Sequence, residues 1–117
     1  MLEVDLVRLK HMLDASNEIV EFTKDKNQDN FNSDRKLQLS VVHLLEIIGE
    51  AGAGISEDVK NKYQKIPWKS IIGMRNRLIH GYFDVDLTIV WKTATKDIPP
   101  LAKKLKQIIS ENITPLL

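Results

Sequence analysis

Leu2, Leu6, Leu9 and Leu13 recur three and four residues apart and continue, less cleanly, to Ile19 and Phe22, a spacing that predicts a first helix over about residues 2–24. The stretch from Asp25 to Asn32 is polar, rich in Asn and Asp, and reads as a connection. Ser33 or Asp34 can cap the next helix, in which Leu37, Val41, Leu44, Ile48 and Ile55 form one apolar stripe. Val42, Leu45, Gly49 and Ala53 lie beside that stripe, so this helix is expected to be central, with two buried contacts. Gly49, Ala51, Gly52, Ala53 and Gly54 allow close backbone approach, and Gly54 can end the helix.

Ser56, followed by Glu57 and Asp58, predicts the capped start of a short helix that ends before Pro67. Pro67 suits the first turn of a further helix carrying Trp68, Ile71, Ile72, Met74, Leu78 and Ile79 and stopping near Gly81. From Leu87 onward, Leu87, Trp91, Ala94, Ile98, Leu101, Leu105 and Ile108 alternate four and three residues apart, as in an a/d seam. Pro99 and Pro100 remove two backbone donors within that seam, which predicts a kink or a break near Asp97 with the apolar phase kept across it. With no convincing β-alternation, the expected fold is all-α: an antiparallel bundle of about four or five helices.

The chain has 117 residues, 43% hydrophobic and 28% charged, which fits one globular domain over residues 1–117. It has no cysteine, excluding disulfides, thiolate metal sites and a cysteine nucleophile. The start, Met1-Leu2-Glu3-Val4-Asp5, is acidic where a secretion signal would be basic, and no apolar run approaches the length of a membrane span. A cytoplasmic protein with no membrane partner is expected. The net charge of +1 hides an asymmetry: Lys60, Lys62, Lys65, Lys69, Arg75 and Arg77 fall between Lys60 and Gly81 without one acidic residue, and the remainder carries −5. Such a segment is either a solvated helix face or the footprint of a polyanion such as RNA, with Lys65 and Lys69 as candidate contacts.

Among the histidines, His11 and His43 read as ordinary helix residues, and with no His-x-x-x-His pair a three-histidine metal site is rejected. No metal and no cofactor is expected. His80 differs by its company in Arg75-Asn76-Arg77-Leu78-Ile79-His80-Gly81-Tyr82. Arg75 and His80 are five residues apart and share a face only if the helix ends or tightens near Gly81. A proton-exchanging imidazole beside a fixed guanidinium is the minimum equipment for metal-free RNA transesterification. The spacing alone does not separate that pair from a surface arginine and a helix-end histidine.

Context separates them. Arg75-Asn76-x-Leu78-x-His80-x-Tyr82, preceded by Ile66-Pro67-Trp68-Lys69-x-Ile71-Ile72-Gly73-Met74, resembles the signature of the HepT-type HEPN toxins, once called DUF86. Glu46-Ile47-Ile48-Gly49-Glu50-Ala51 resembles that family's second-helix motif, and Asp86-Leu87-x-Ile89-Val90-Trp91 with Asp97-Ile98-Pro99 resembles its last helices. Gly81 departs from the pattern, where a larger, often charged residue stands. The resemblance implies a helical bundle forming a two-fold homodimer, with Arg75 and His80 as the catalytic pair of a metal-independent endoribonuclease at the dimer cleft. Asn76 and Arg77 would support the pair. It further implies the toxin half of a toxin–antitoxin system, whose partner, an MntA-like minimal nucleotidyltransferase, transfers AMP from ATP to Tyr82. A bulky anion there would occupy the phosphate site and repel RNA. The alternative is a non-catalytic HEPN module that binds a nucleotidyltransferase or its nucleotide. The homodimer also draws on the residues themselves, because a helix showing Trp68, Ile72, Ile79 and Tyr82 on one side, with Gly73 allowing close approach, carries more apolar stripe than a small monomer covers.

Overall fold

The computed structural model describes residues 1–78 and 84–113. Among these residues there is no β-strand, and the all-α class is borne out. Helix α1 spans Glu3–Thr23, within about a residue of the expectation at either end. Its buried face is offset from the leucine stripe: Asp5, Leu9, Met12, Ala15, Ser16, Ile19 and Thr23 are buried. Leu6 and Leu13 lie at the margin, and Leu2 and Phe22 are exposed. Two polar members of this face are satisfied within the helix, Ser16 Oγ donating to the Met12 carbonyl and Thr23 Oγ1 to that of Ile19.

The expected bare connection holds a helix. Asp25, at a φ of 59°, turns the chain out of α1, and α2 follows at Gln28–Asn32. Asn27 and Asn30 cap its start reciprocally, each side-chain oxygen accepting from the other's backbone N–H at 2.8 and 2.9 Å. The asparagines that read as loop are therefore the cap. Phe31 from α2 is fully buried, with its ring 5.2 Å from that of Trp91.

Helix α3, Arg35–Ala53, starts at Asp34, whose carboxylate accepts from Leu37 N at 3.0 Å. Leu37, Val41, Leu44, Ile48 and, beyond the helix, Ile55 are buried as predicted, and Leu45 with them. Ala53 is exposed instead, and Gly52 is the buried small residue. Arg8 Nη1 donates to the Gly54 carbonyl at 2.7 Å, and Asp5 meets Ser56. The start of α1 thus lies beside the end of α3, and the two helices run antiparallel.

Ser56 caps α4, Glu57–Lys62, as expected. The next segment differs from the expected continuous helix: α5 covers Trp68–Ile72, α6 covers Met74–Leu78, and they part at Gly73. Gly73 N closes the last α-turn on the Lys69 carbonyl, and Asn76 N donates to the Gly73 carbonyl three residues back, a tightened turn at a residue with weak helix preference. The predicted stop near Gly81 lies outside the described residues. Trp68 does not belong to an outward stripe: it is buried, and its Nε1 donates to the Tyr63 carbonyl at 3.1 Å. That removes Trp68 from the apolar face expected to be shared between two copies, while Ile72 is exposed.

The irregularity expected near Asp97 takes the form of a π-helical turn that ends at that residue. Helix α7, Leu87–Lys92, passes through a π-helical turn at Thr93–Asp97 into α8, Ile98–Glu111, with the two prolines in its first turn. Ile98 N donates to the Thr93 carbonyl five residues back, so the turn just before the two prolines is wider than an α-turn. The apolar phase is kept, with Ala94, Ile98, Leu101, Leu105 and Ile108 buried on both sides of the turn. Helix α1 packs against both α3 and α8, and α5, α6 and α7 close onto α3. No helix among the described residues is long and apolar enough to cross a membrane.

Candidate active site

Helix α6 is only five residues long, and its two end residues anchor it. Met74 and Leu78, four apart and hence on one face, are each 2% exposed. Arg75, Asn76 and Arg77 between them are all exposed. The helix is thus a short platform, nailed to the core by its ends, that offers three polar side chains to solvent.

Helix α5 sets where that platform stands. A Cβ built on Gly49 of α3 would lie 3.2 Å from the Ile71 carbonyl oxygen, and one on Gly52 would lie 3.1 Å from Ile71 Cγ2. The glycines let α5 seat directly on α3, as the small residues predicted. Beyond Gly73, Arg77 Nη2 reaches back to the Ser70 carbonyl at 3.1 Å and ties α6 to α5.

Arg75 Nε lies 4.0 Å from Glu46 Oε2 on α3, with 66% of the arginine side chain exposed. This is a contact at the outer limit of an ion pair, largely in water, and leaves most of the guanidinium's donors free for an incoming anion. The guanidinium fork suits two oxygens of one phosphoryl group. Glu46 belongs to the second-helix motif, but sequence reasoning did not pair it with Arg75; only the folding of α5 onto α3 does so.

Beyond α6, Asp86 N donates to the Leu78 carbonyl at 3.0 Å. Asp86 also starts α7, its carboxylate accepting from Ile89 N at 3.1 Å. His80, Gly81 and Tyr82 lie outside the described residues. Lys65 and Lys69 are exposed, and the Lys65 carbonyl accepts from Lys104 Nζ at 3.2 Å. His11 and His43 are exposed on α1 and α3. Among the described residues no three His, Asp or Glu side chains gather as a potential metal site.

Comparison with known proteins bears on this platform. A family model described as Ribonuclease HepT-like matches residues 12–108, from the middle of α1 to near the end of α8. A protein of Thermococcus cleftensis named as a probable ribonuclease HepT is 41% identical over 100 residues, covering 86% of this chain and 91% of that protein. Two proteins of Methanocaldococcus jannaschii, both named as candidate RNases, are similar. One is 38% identical over 98 residues, covering 84% of this chain and 90% of its own length. The other is 40% identical over 103 residues, covering 88% and 89%. No solved structure matches. With the match running through α3, the α5–α6 platform and α8, the chain belongs to the ribonuclease HepT-like family.

Proposed function

We propose that the protein is a metal-independent endoribonuclease, a single HEPN domain over residues 1–117 that acts as a homodimer and as the toxin of a toxin–antitoxin pair. The observation that carries this reading is Arg75, displayed to solvent on a helix anchored by buried Met74 and Leu78, in a chain of a ribonuclease family. In the proposed reaction the 2′-oxygen of a ribose attacks the adjacent phosphorus while its proton passes to a base. The bond from phosphorus to the 5′-oxygen breaks, that oxygen takes up a proton, and a 2′,3′-cyclic phosphate and a free 5′-hydroxyl result. His80 serves as the base or the acid, and Arg75 offsets the charge that grows on the phosphoryl oxygens. Asn76, exposed beside Arg75, orients groups around the cleft, and Arg77 holds α6 to α5 through Ser70. Lys65 and Lys69 bind the RNA backbone.

Control of this activity is assigned to Tyr82. A neighbour-encoded MntA-like nucleotidyltransferase would join the tyrosine oxygen to the α-phosphorus of ATP, releasing pyrophosphate. The resulting anion, two residues from His80, would exclude RNA.

The test is cleavage of purified transfer RNA and messenger RNA in EDTA by wild type and by His80→Ala, after intact mass shows Tyr82 unmodified. Cleavage by wild type alone, with cyclic phosphate ends, supports the reading. No cleavage by unmodified, dimeric protein overturns it and leaves a non-catalytic module that binds the nucleotidyltransferase.

A further inference from the structure

Two clefts lie end to end between the segment from Lys62 to Arg77 and the helix that runs from the π turn into α8. The first, of about 320 Å³, has Ser70 and Arg77 on one wall and Lys96 and Lys104 on the other. The second, of about 260 Å³, lies between Lys62 to Ile66 and the stretch of α8 from Lys104 to Glu111. Lys104 lines both, so the two clefts adjoin at its side chain and together make one basic groove that this side chain crosses.

The groove is strongly positive. Arg77, Lys96, Lys104, Lys65 and Lys62 line it, against the carboxylates of Asp97 and Glu111. Among the described residues none of the five cations stands in an ion pair, since those found are Lys60 with Glu57 and Arg75 with Glu46. Clustered, unneutralised cations in a concave channel raise the local concentration of a polyanion far more than the same charges on a convex face. The π turn brings in Lys96, and the Lys104 ammonium donates across the groove to the Lys65 carbonyl at 3.2 Å. From Lys96 to Lys104 the helix advances about 12 Å. Arg77, which lines the first cleft, is two residues from Arg75 in the sequence.

We propose that this groove holds the phosphodiester backbone of a single RNA strand leading to or from the cut, an assignment that rests on the ribonuclease reading. A strand is favoured over a duplex because a 2′-oxygen must line up behind the phosphorus, which regular A-form geometry does not provide. Lys96 and Lys104 then extend the basic surface of residues 60 to 77 across to the opposite wall. Neither lies in the basic segment that sequence alone singles out.

The test measures fluorescence anisotropy of a labelled single strand, 2′-O-methylated throughout so that it cannot be cut, over a series of salt concentrations. The Lys96→Gln/Lys104→Gln double variant is expected to bind about tenfold more weakly at low salt, and its slope of log affinity against log salt to be shallower by about 1.4. A control pair, Lys10→Gln/Lys24→Gln, removes the same charge from exposed positions on α1 and just after its end, and is expected to change neither quantity. Thermal melting checks each fold, and Lys96→Arg/Lys104→Arg is expected to restore binding. Equal effects from both pairs, no effect from the groove pair, no binding by wild type, or equally groove-dependent binding of a methylated duplex would each overturn the proposal. Groove-dependent binding by a protein that cuts no unmodified RNA leaves the groove standing and the nuclease reading refuted. Cleavage without groove-dependent binding does the reverse.

Discussion

Arg75 and Glu46 face each other at 4.0 Å across the seam between α6 and α3, the arginine mostly in water. An exposed pair at that distance adds little to stability, typically below about 1 kcal/mol. In the proposed reaction its weight falls on function. Arg75→Ala is expected to leave the melting temperature nearly unchanged and to lower RNA cleavage by about 10²–10³, the loss seen when one donor to a developing oxyanion is removed. A large drop in melting temperature would make Arg75 a structural residue instead.

Glu46→Gln removes a negative charge near the expected phosphate position. A unit charge at about 4 Å in water is worth about 1 kcal/mol, so RNA binding to Glu46→Gln is expected to tighten by up to about fivefold, with stability unaltered. Weaker binding or lost cleavage would show that Glu46 holds Arg75 in place. Anisotropy and initial cleavage rates decide between the two.

Gly49→Ala pits helix preference against packing. Alanine gains roughly 1 kcal/mol over glycine inside a helix, but its Cβ would stand 3.2 Å from the Ile71 carbonyl, a backbone atom of α5. A backbone oxygen cannot rotate away as a side chain can. The variant is expected to lose about 1 kcal/mol net and to cut RNA more slowly, because α6 and Arg75 ride on α5. A gain in melting temperature would mean that α5 shifts freely and does not fix the platform.

The parts of the fold legible in the sequence are those in which burial follows a simple period. Leu37, Val41, Leu44 and Ile48 are buried as their spacing implies, and the seam through Ile98, Leu101 and Leu105 survives the proline pair. In α1 the reading slips by a residue because the buried face includes Asp5, Ser16 and Thr23, polar residues that no hydrophobic template selects. At Gly73 apolar spacing runs on through a real break, since periodicity measures which face is apolar and not whether the backbone stays helical. The candidate chemistry was visible as a run from Arg75 to Tyr82, but its carboxylate neighbour Glu46 and the groove lysines Lys96 and Lys104 come from distant segments. Only tertiary packing brings them there.

Asp5 is one of those unselected polar residues, and it is 1% exposed. Its two carboxylate oxygens accept from Ser56 N at 2.9 Å and Ser56 Oγ at 2.7 Å, joining residues 51 apart. Asp5→Ala leaves both donors unmatched, and is expected to cost about 2 kcal/mol, or about 8 °C in melting temperature for a domain of this size. Ser56→Ala also removes the cap of α4, so the double variant is expected to be less destabilised than the two singles added together. Strict additivity in thermal melts would mean that the two residues act independently.

Phe31 tests whether the helix hidden in the polar connection belongs to the core. It is fully buried and packs on Trp91, so α2, which follows α1 in the chain, is joined to α7. If that contact is part of the cooperative unit, Phe31→Ala is expected to cost about 3–5 kcal/mol, close to the whole stability of many small domains. Asn27→Ala, which removes one half of the reciprocal cap, is expected to cost about 1 kcal/mol. Urea titrations followed by circular dichroism measure both. The same midpoint as wild type for Phe31→Ala would show that α2 melts apart from the bundle, and would return residues 25–32 to the loop that their composition suggests. A shifted midpoint with an unchanged slope would place Phe31 in the same cooperative core as Leu9 and Leu105.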